Sequence, residues 1–447
     1  MHAEHLGSRD LIEALGTEQD VLLRLCGLEA LAANRSFGLF KALRAALDAL
    51  PEKAGFARWR WMESSAAALH GLRNKAKSDD FRPLALAVIA WLDDKEVPED
   101  TKLVIARHLA RTFGSEHVTL KSVFWRDALD AEQSLTPPDE RYVSDPPTFM
   151  GLRAWGKRIV YLIDMSDSML EPITNEERTR LGAPITGGDE KRPKRDKKDE
   201  DGEIEVGDLP WHRIETRFDL AREYLKQSLA GLPKDRYFMV VGFGSEAETL
   251  KSTKRFVAAK KKTIRKVLKE LDKIKPGRAT DVRPNGTLRG DTNMHAAFRL
   301  AFQAGKKGPM RGDAALDEEG FEHGCDTIFL LSDGAPTVDD FMAVDQVPAG
   351  SGGYRDRETG KSLGGGGGAA PPPGSMVPAE IQGPYGSDDV HIVDDIRRMN
   401  LFRKAEIHCV GIGKAKMRLL KRLAEAGLGK ARRFDADEDD EDEDDDE

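Results

Sequence analysis

From residue 158 onward the chain repeats a pattern that few folds can accommodate. Short, mainly apolar runs alternate with stretches whose apolar residues fall on one helical face. The runs are "RIVYLID" (158–164), "YFMVVGF" (237–243), "TIFLL" (327–331) and "EIHCVGI" (406–412). Between them, Phe218, Ala221, Leu225 and Leu229 mark a helix over 217–230, and Ile264, Val267, Leu268 and Leu271 mark a second. "NMHAAFRLAF" (293–302), "DVHIVDDIRRMN" (389–400) and a segment at about 415–426 read as three more. A strand without polar alternation is buried on both faces, and helices between successive strands carry the chain back for parallel pairing. The pattern predicts an α/β domain over 158–434, with a doubly wound, mostly parallel sheet covered on both sides.

Residues 1–135 follow a different rule. Val21, Leu25, Leu28 and Ala32 keep helical spacing, as do Phe40, Leu43, Leu47 and Leu50, and no strand pattern interrupts them. "LALAVIAWL" (84–92) is apolar all round and is expected to be buried between neighbouring helices. The "SDD" at 78–80 offers capping side chains, with Pro83 near the first turn. The all-α region is expected to be a solenoid of HEAT-like repeats or a plain helical bundle. Residues 136–157, rich in proline and polar groups, read as a linker. Two stretches within the α/β region, about 171–210 and 343–387, are long and poor in core residues. They are expected to be disordered insertions beside the strand ends.

Charge separates the tail from the rest. The chain of 447 residues carries a formal charge of −9, and residues 435–447, "DADEDDEDEDDDE", hold 12 acidic groups. Without those groups the remainder carries +3, so a mildly basic body precedes a polyanion that repels itself and is expected to be disordered. Such a tail is either a solubilising segment or an internal competitor for acidic ligands, held at high effective concentration. Three separated cysteines (Cys26, Cys325 and Cys409) are no disulfide framework and suit a reducing compartment. No run of about 18 apolar residues suggests a membrane span, and "MHAEHLGSRDLIEALG" lacks a secretory pattern. A cytoplasmic location is expected.

The strand ends carry the chemistry. In an open α/β sheet, ligands bind outside the carboxyl ends of the strands. "YLIDMSDSML" (161–170) delivers Asp164, Ser166 and Ser168 there, "GDTNMH" (290–295) delivers Thr292, and "LLSDG" (330–334) delivers Asp333. Two carboxylates and three hydroxyls, with no thiolate or imidazole, form a hard oxygen set suited to Mg²⁺ or Mn²⁺.

This ordered set, Asp-x-Ser-x-Ser, then Thr in a Gly-x-Thr-Asn context, then Ser-Asp-Gly, resembles a von Willebrand factor A (VWA) domain with a metal-ion-dependent adhesion site. The resemblance covers about 157–434 without the two insertions, and Asp164, Ser166, Ser168, Thr292 and Asp333 match its five motif positions. It implies that the two serines coordinate the metal directly. Threonine would do so directly or through water, and the aspartates mainly through water, with a partner's Glu or Asp completing the sphere. Many members have Gly where this chain has Asp167. Cytoplasmic members often work beside AAA-type ATPases, which makes such a partner an expectation here.

Other chemistries fit less well. An aspartate-nucleophile phosphohydrolase would carry a second aspartate where Ser166 stands, and neither a nucleophile elbow nor a phosphate-binding P-loop is present. Zinc would need His323 and Cys325 beside His408 and Cys409, yet Cys409 reads as a buried small hydrophobe. The basic segment 251–278 could face nucleic acid or an acidic protein. Phe256 is its only aromatic residue, too few for base stacking, and its apolar helical face suggests a solvated basic surface. The expectation is a non-enzymatic, metal-dependent protein-binding module within a scaffold or adaptor, with no membrane or nucleic-acid partner.

Overall fold

The computed structural model describes residues 21–131 except 36–37, 76–78 and 116. It also describes 147–434 except 182–208, 281–287, 289, 306, 310–322, 335, 337–345, 349–375, 379–389 and 414. The chain divides into two compact units, Met1–Pro146 and Pro147–Glu447.

The first unit is all-α. Its described helices are α1 (Val21–Ala33), α2 (Leu39–Asp48), α3 (Phe56–Gly71), α4 (Phe81–Ala90), α5 (Glu99–Phe113) and α6 (Ser122–Asp130). Their apolar faces form one core around Leu25, Leu43, Leu69, Phe81, Ile105 and Trp125. The buried indoles keep their N–H groups bonded: Trp61 to the Ala46 carbonyl at 2.7 Å and Trp125 to that of Thr119 at 2.8 Å. Helix α4 corrects two local expectations. Its buried residues, Phe81, Leu84, Ala85, Val88 and Ile89, form one face, while Leu86 is exposed. Asp80 precedes the helix in a helical conformation and makes no side-chain cap, because an N-cap residue must leave the helical region to turn its oxygen onto the first turn.

The second unit is α/β. Its central elements run β1 (Arg158–Asp164), α7 (Arg217–Ala230), β2 (Tyr237–Phe243), β3 (Ala247–Thr249), β4 (Val257–Ala258), α8 (Lys261–Leu271), α9 (Met294–Phe302), β5 (Thr327–Ser332), α10 (Val390–Asn400), β6 (Glu406–Gly411), α11 (Met417–Ala426) and β7 (Ala431–Arg433). The sheet order is β7-β6-β5-β1-β2-β3, with β4 also on β2. Strands β7, β6, β5, β1 and β2 are parallel, while β3 and β4 pair antiparallel with β2.

Alternation along β1 divides the core. Val160 and Leu162 pack with α9, α10 and α11 on one face, and Ile159, Tyr161 and Ile163 pack with α7 and α8 on the other. The sheet is therefore doubly wound. From β1 the chain first builds outward to β2, then returns to lay β5 on the other side of β1. The reversal of winding opens a crevice between the carboxyl ends of β1 and β5, where open α/β sheets take ligands.

Part of the segment read as a linker belongs to this unit. Thr148–Phe149 pairs with Leu152–Arg153, and the Phe149 ring makes edge contacts with Tyr161 and Phe329 at 5.3 and 5.2 Å. Burial of an aromatic ring outweighs the turn-forming composition around it. The segment read as an insertion from 171 begins in order, with a helix at Asn175–Arg180 held by a Thr174–Glu177 capping box. Gln346–Pro348 pairs with Met376–Pro378. Residues 182–208 of the first expected insertion, the rest of the second, residues 136–146 and the acidic tail lie outside the described residues.

Candidate metal centre

Strand β1 ends at Asp164, whose carboxylate is fully buried. Its Oδ1 accepts from the Ser166 amide at 2.9 Å, and its Oδ2 accepts from the Ser332 hydroxyl at 2.6 Å. The first bond turns the chain out of the strand, and the second ties β1 to the end of β5. A short 3₁₀ turn, Asp167–Leu170, follows and directs Ser168 back over the crevice. The Ser166 and Ser168 hydroxyls lie 3.0 Å apart, and Ser168 Oγ donates to Asp333 Oδ1 at 2.7 Å. A continuous hydrogen-bonded chain thus links Asp164, Ser166, Ser168 and Asp333.

Thr292 occupies the third segment and is buried. Its turn is fixed from both sides. Asn293 N donates to the Gly244 carbonyl at the end of β2, and Asn293 Oδ1 caps α9 by accepting from Ala296 N. Two residues before Thr292, the Gly290 carbonyl accepts from Asp167 N at 3.0 Å. The threonine is therefore held on the loop that abuts the serine turn. Asp167 itself is exposed, and its Oδ1 accepts from Arg278 N at 2.7 Å, so this carboxylate braces two loops.

Sequence patterns did not single out Arg217, the first residue of α7. Its Nη1 lies 3.1 Å from Asp333 Oδ2 and 2.8 Å from Glu171 Oε2. The nearest sequence signal was the Thr216–Asp219 capping box that starts α7 and so fixes where residue 217 points. Ser332 was also missed as a functional group, since its role depends on β5 lying beside β1.

Electrostatics at the centre favour a cation. Burial pushes the Asp164 carboxyl up to about 7; the Asp333 charge adds to this, and the bonds from Ser166 and Ser332 oppose it. Asp333 is also raised by burial, against hydrogen bonds from Ser168 and Arg217 and the Arg217 charge. Two desolvated carboxylates, one raising the other, form a site a dication relieves. The surrounding donors are hydroxyl oxygens, the hard ligands that Mg²⁺ and Mn²⁺ prefer. The residues present fit such an ion.

Among the described residues, no group of three or more His, Cys, Asp and Glu side chains is arranged to hold a metal. The residues of the zinc alternative are divided by the sheet. His408 stacks on Phe329 at 5.1 Å, whereas Cys409 packs into the core on the opposite face. Burial raises both the Cys325 and Cys409 thiols, the first to about 12, away from the thiolate that zinc needs. No helix among the described residues is long and apolar enough to cross a membrane.

No protein-family model matches the chain, and no curated protein does. Among solved structures, it is similar to a von Willebrand factor type A protein from Catenulispora acidiphila, at 13% identity and a TM-score of 0.30. The match covers 63% of this chain and 39% of that one, so the chain spans about two fifths of that protein's length.

Proposed function

We propose that the α/β unit is a metal-dependent protein-binding module of the VWA type, in which Asp164, Ser166, Ser168, Thr292 and Asp333 hold Mg²⁺ or Mn²⁺. The observation that carries this reading is the run of hydrogen bonds from Asp164 to Asp333 through the Ser166 amide and the Ser166 and Ser168 hydroxyls, at the crevice between β1 and β5. The bound ion would supply an electrophilic centre for an acidic side chain of a partner protein. Neutral hydroxyls leave only two carboxylates to balance its charge, so an anionic ligand remains favourable. Arg217 holds the Asp333 carboxylate in place from behind.

A phosphohydrolase using Asp164 as nucleophile is disfavoured by the same geometry. Both Asp164 oxygens accept hydrogen bonds, and the side chain is shielded from solvent. We assign no catalytic residue. Within this reading the all-α unit supplies a second protein-binding surface, as expected of a scaffold or adaptor that could serve an AAA-type ATPase.

The test is a calorimetric titration of the purified chain with Mn²⁺ and Mg²⁺, beside Asp164→Ala. One ion bound by the wild type and none by the variant supports the reading. Equal binding, or none to either, makes the strand-end residues structural and moves the search for function to the all-α unit and the charged segments.

A further inference from the structure

A cavity of about 640 Å³ opens beside β2 and α8, on the same edge of the sheet as the candidate metal centre. Met165, Gly242, Leu250, Ile274 and Leu288 contribute its apolar lining. Lys251, Lys266, Lys269 and Lys273 surround it, and all four are exposed. Two glutamates also line it, Glu248 and Glu270, and the latter accepts from the Lys251 and Ser252 amides at 2.7 and 2.9 Å, so four lysines outnumber two carboxylates at its rim. The cavity is therefore a cationic trough with an apolar floor, suited to an extended acidic segment.

The chain carries such a segment, and its start is pinned at the same edge. Arg433 pairs with Gly411 and Gly411 with Ser332, while Leu331 pairs with Ile163 and Ile163 with Gly242. The last residue of β7 thus lies level with the strand ends that bear the site and the cavity. Phe434 anchors the exit point: its amide donates to the Gly411 carbonyl at 2.8 Å, and its ring meets Tyr224 edge-on at 4.6 Å. From there, residues 435–447 supply 12 acidic groups in 13 positions.

The distance is within reach. Four strand spacings separate β7 from β2, or roughly 19 Å, and one helix width adds about 10 Å. Thirteen extended residues span roughly 45 Å.

We propose that residues 435–447 dock in cis into this lysine-rimmed cavity. Docking needs no metal and does not rest on the function proposed above.

The test uses a fluorescein-labelled peptide of residues 435–447, followed by anisotropy in EDTA at about 0.15 M ionic strength, where charges more than roughly 8 Å apart are largely screened. It is titrated with the full chain and with a chain ending at Phe434, a deletion that removes no described residue. Tethering gives the intact tail an effective concentration near millimolar, so the peptide should bind the full chain at least about tenfold more weakly than the shortened one. Replacing Lys251, Lys266, Lys269 and Lys273 with Gln in the shortened chain should abolish binding. Replacing Lys254, Lys260, Lys261 and Lys262, which lie outside the cavity lining, removes the same charge and should change affinity less than about twofold. Circular dichroism confirms that both variants fold.

Equal affinity for the full and shortened chains overturns the proposal and makes the cavity a site for an acidic segment of another protein. Equal losses in the two lysine variants, or no binding to the shortened chain, overturn it as well.

Discussion

Arg217 and Asp333 stand 116 residues apart in sequence, yet Nη1 of the first lies 3.1 Å from Oδ2 of the second. The Asp333 side chain is inaccessible to solvent, and Arg217 is nearly so. Room for the guanidinium comes from Gly413, at φ +60, where an added Cβ would lie 2.6 Å from Arg217 Cζ. The candidate metal centre therefore has its own resident cation, which compensates one carboxylate whether or not an ion is bound.

Removing that cation should expose the charge imbalance. Arg217→Gln leaves Asp333 buried beside Asp164 without its counter-charge, a change that typically costs about 3–5 kcal/mol. Denaturant unfolding in EDTA should show a loss of that order, and added Mg²⁺ or Mn²⁺ should recover part of it. A loss indifferent to divalent ions would mean that no ion reaches Asp333.

The Asp164 carboxyl sets a pH dependence with a definite sign. Its ordinary value is 3.8, and burial, with the Asp333 charge, raises it to about 7 in the folded chain. Between these values the folded state holds a proton that the unfolded state releases. In EDTA this group's contribution to stability is therefore present in full below about pH 4. It declines as pH rises and is gone above about pH 7, with a total on the order of 4 kcal/mol. Unfolding measured from pH 5 to pH 8 should show this decline, and Asp164→Asn should flatten it. With saturating Mg²⁺ the trend should reverse, because the ion binds the carboxylate and not the acid. An identical slope in wild type and Asp164→Asn would show that another group titrates.

The sheet was legible where strands are long and buried. "RIVYLID" and "YFMVVGF" coincide with β1 and β2, because unbroken apolar runs such as Ile159–Ile163 and Tyr237–Phe243 leave no other account of their burial. The edge strands were not legible. β3 and β4 are three and two residues long, and β7 reads "ARR". Edge pairing relies on main-chain bonds and carries no apolar signature. The site divided in the same way. Asp164, Ser166 and Ser168 are neighbours in sequence, and Asp333 follows an obvious strand, so a motif could announce them. Arg217 is one of 69 Lys and Arg residues, and only the fold shows which of them meets Asp333. Phe149 was hidden by its proline-rich surroundings, although its ring closes the core over Tyr161 and Phe329.

The bracing role of Asp167 can be tested through its neighbour. A Cβ added at Gly290 would meet Asp167 Oδ2 at 2.2 Å and Cγ at 2.7 Å. The carboxylate would have to swing away and release Arg278 N, which it now holds at 2.7 Å. Gly290→Ala should lower stability by about 1–3 kcal/mol. In an Asp167→Gly background the obstacle is gone, so the same substitution should cost much less, and the double-mutant cycle should show coupling above about 0.5 kcal/mol. Additive effects would place the constraint on Gly290 elsewhere.

Ser332 separates a positioning role from simple packing. Its hydroxyl donates to Asp164 Oδ2 at 2.6 Å and is fully buried, and it is not among the groups expected to touch the ion. Ser332→Ala deletes the bond with little change in volume. In EDTA the buried carboxylate oxygen loses its donor, which should lower stability by about 1–3 kcal/mol. A carboxylate that is free to rotate also meets an ion poorly oriented, and loss of such outer-sphere support typically lowers metal affinity about 10–100-fold. Mn²⁺ titration of the folded variant should therefore show weaker binding at unchanged stoichiometry. If stability falls while affinity stays within about twofold, Ser332 serves only to join β1 to β5, and Asp164 is oriented by its bond to the Ser166 amide alone.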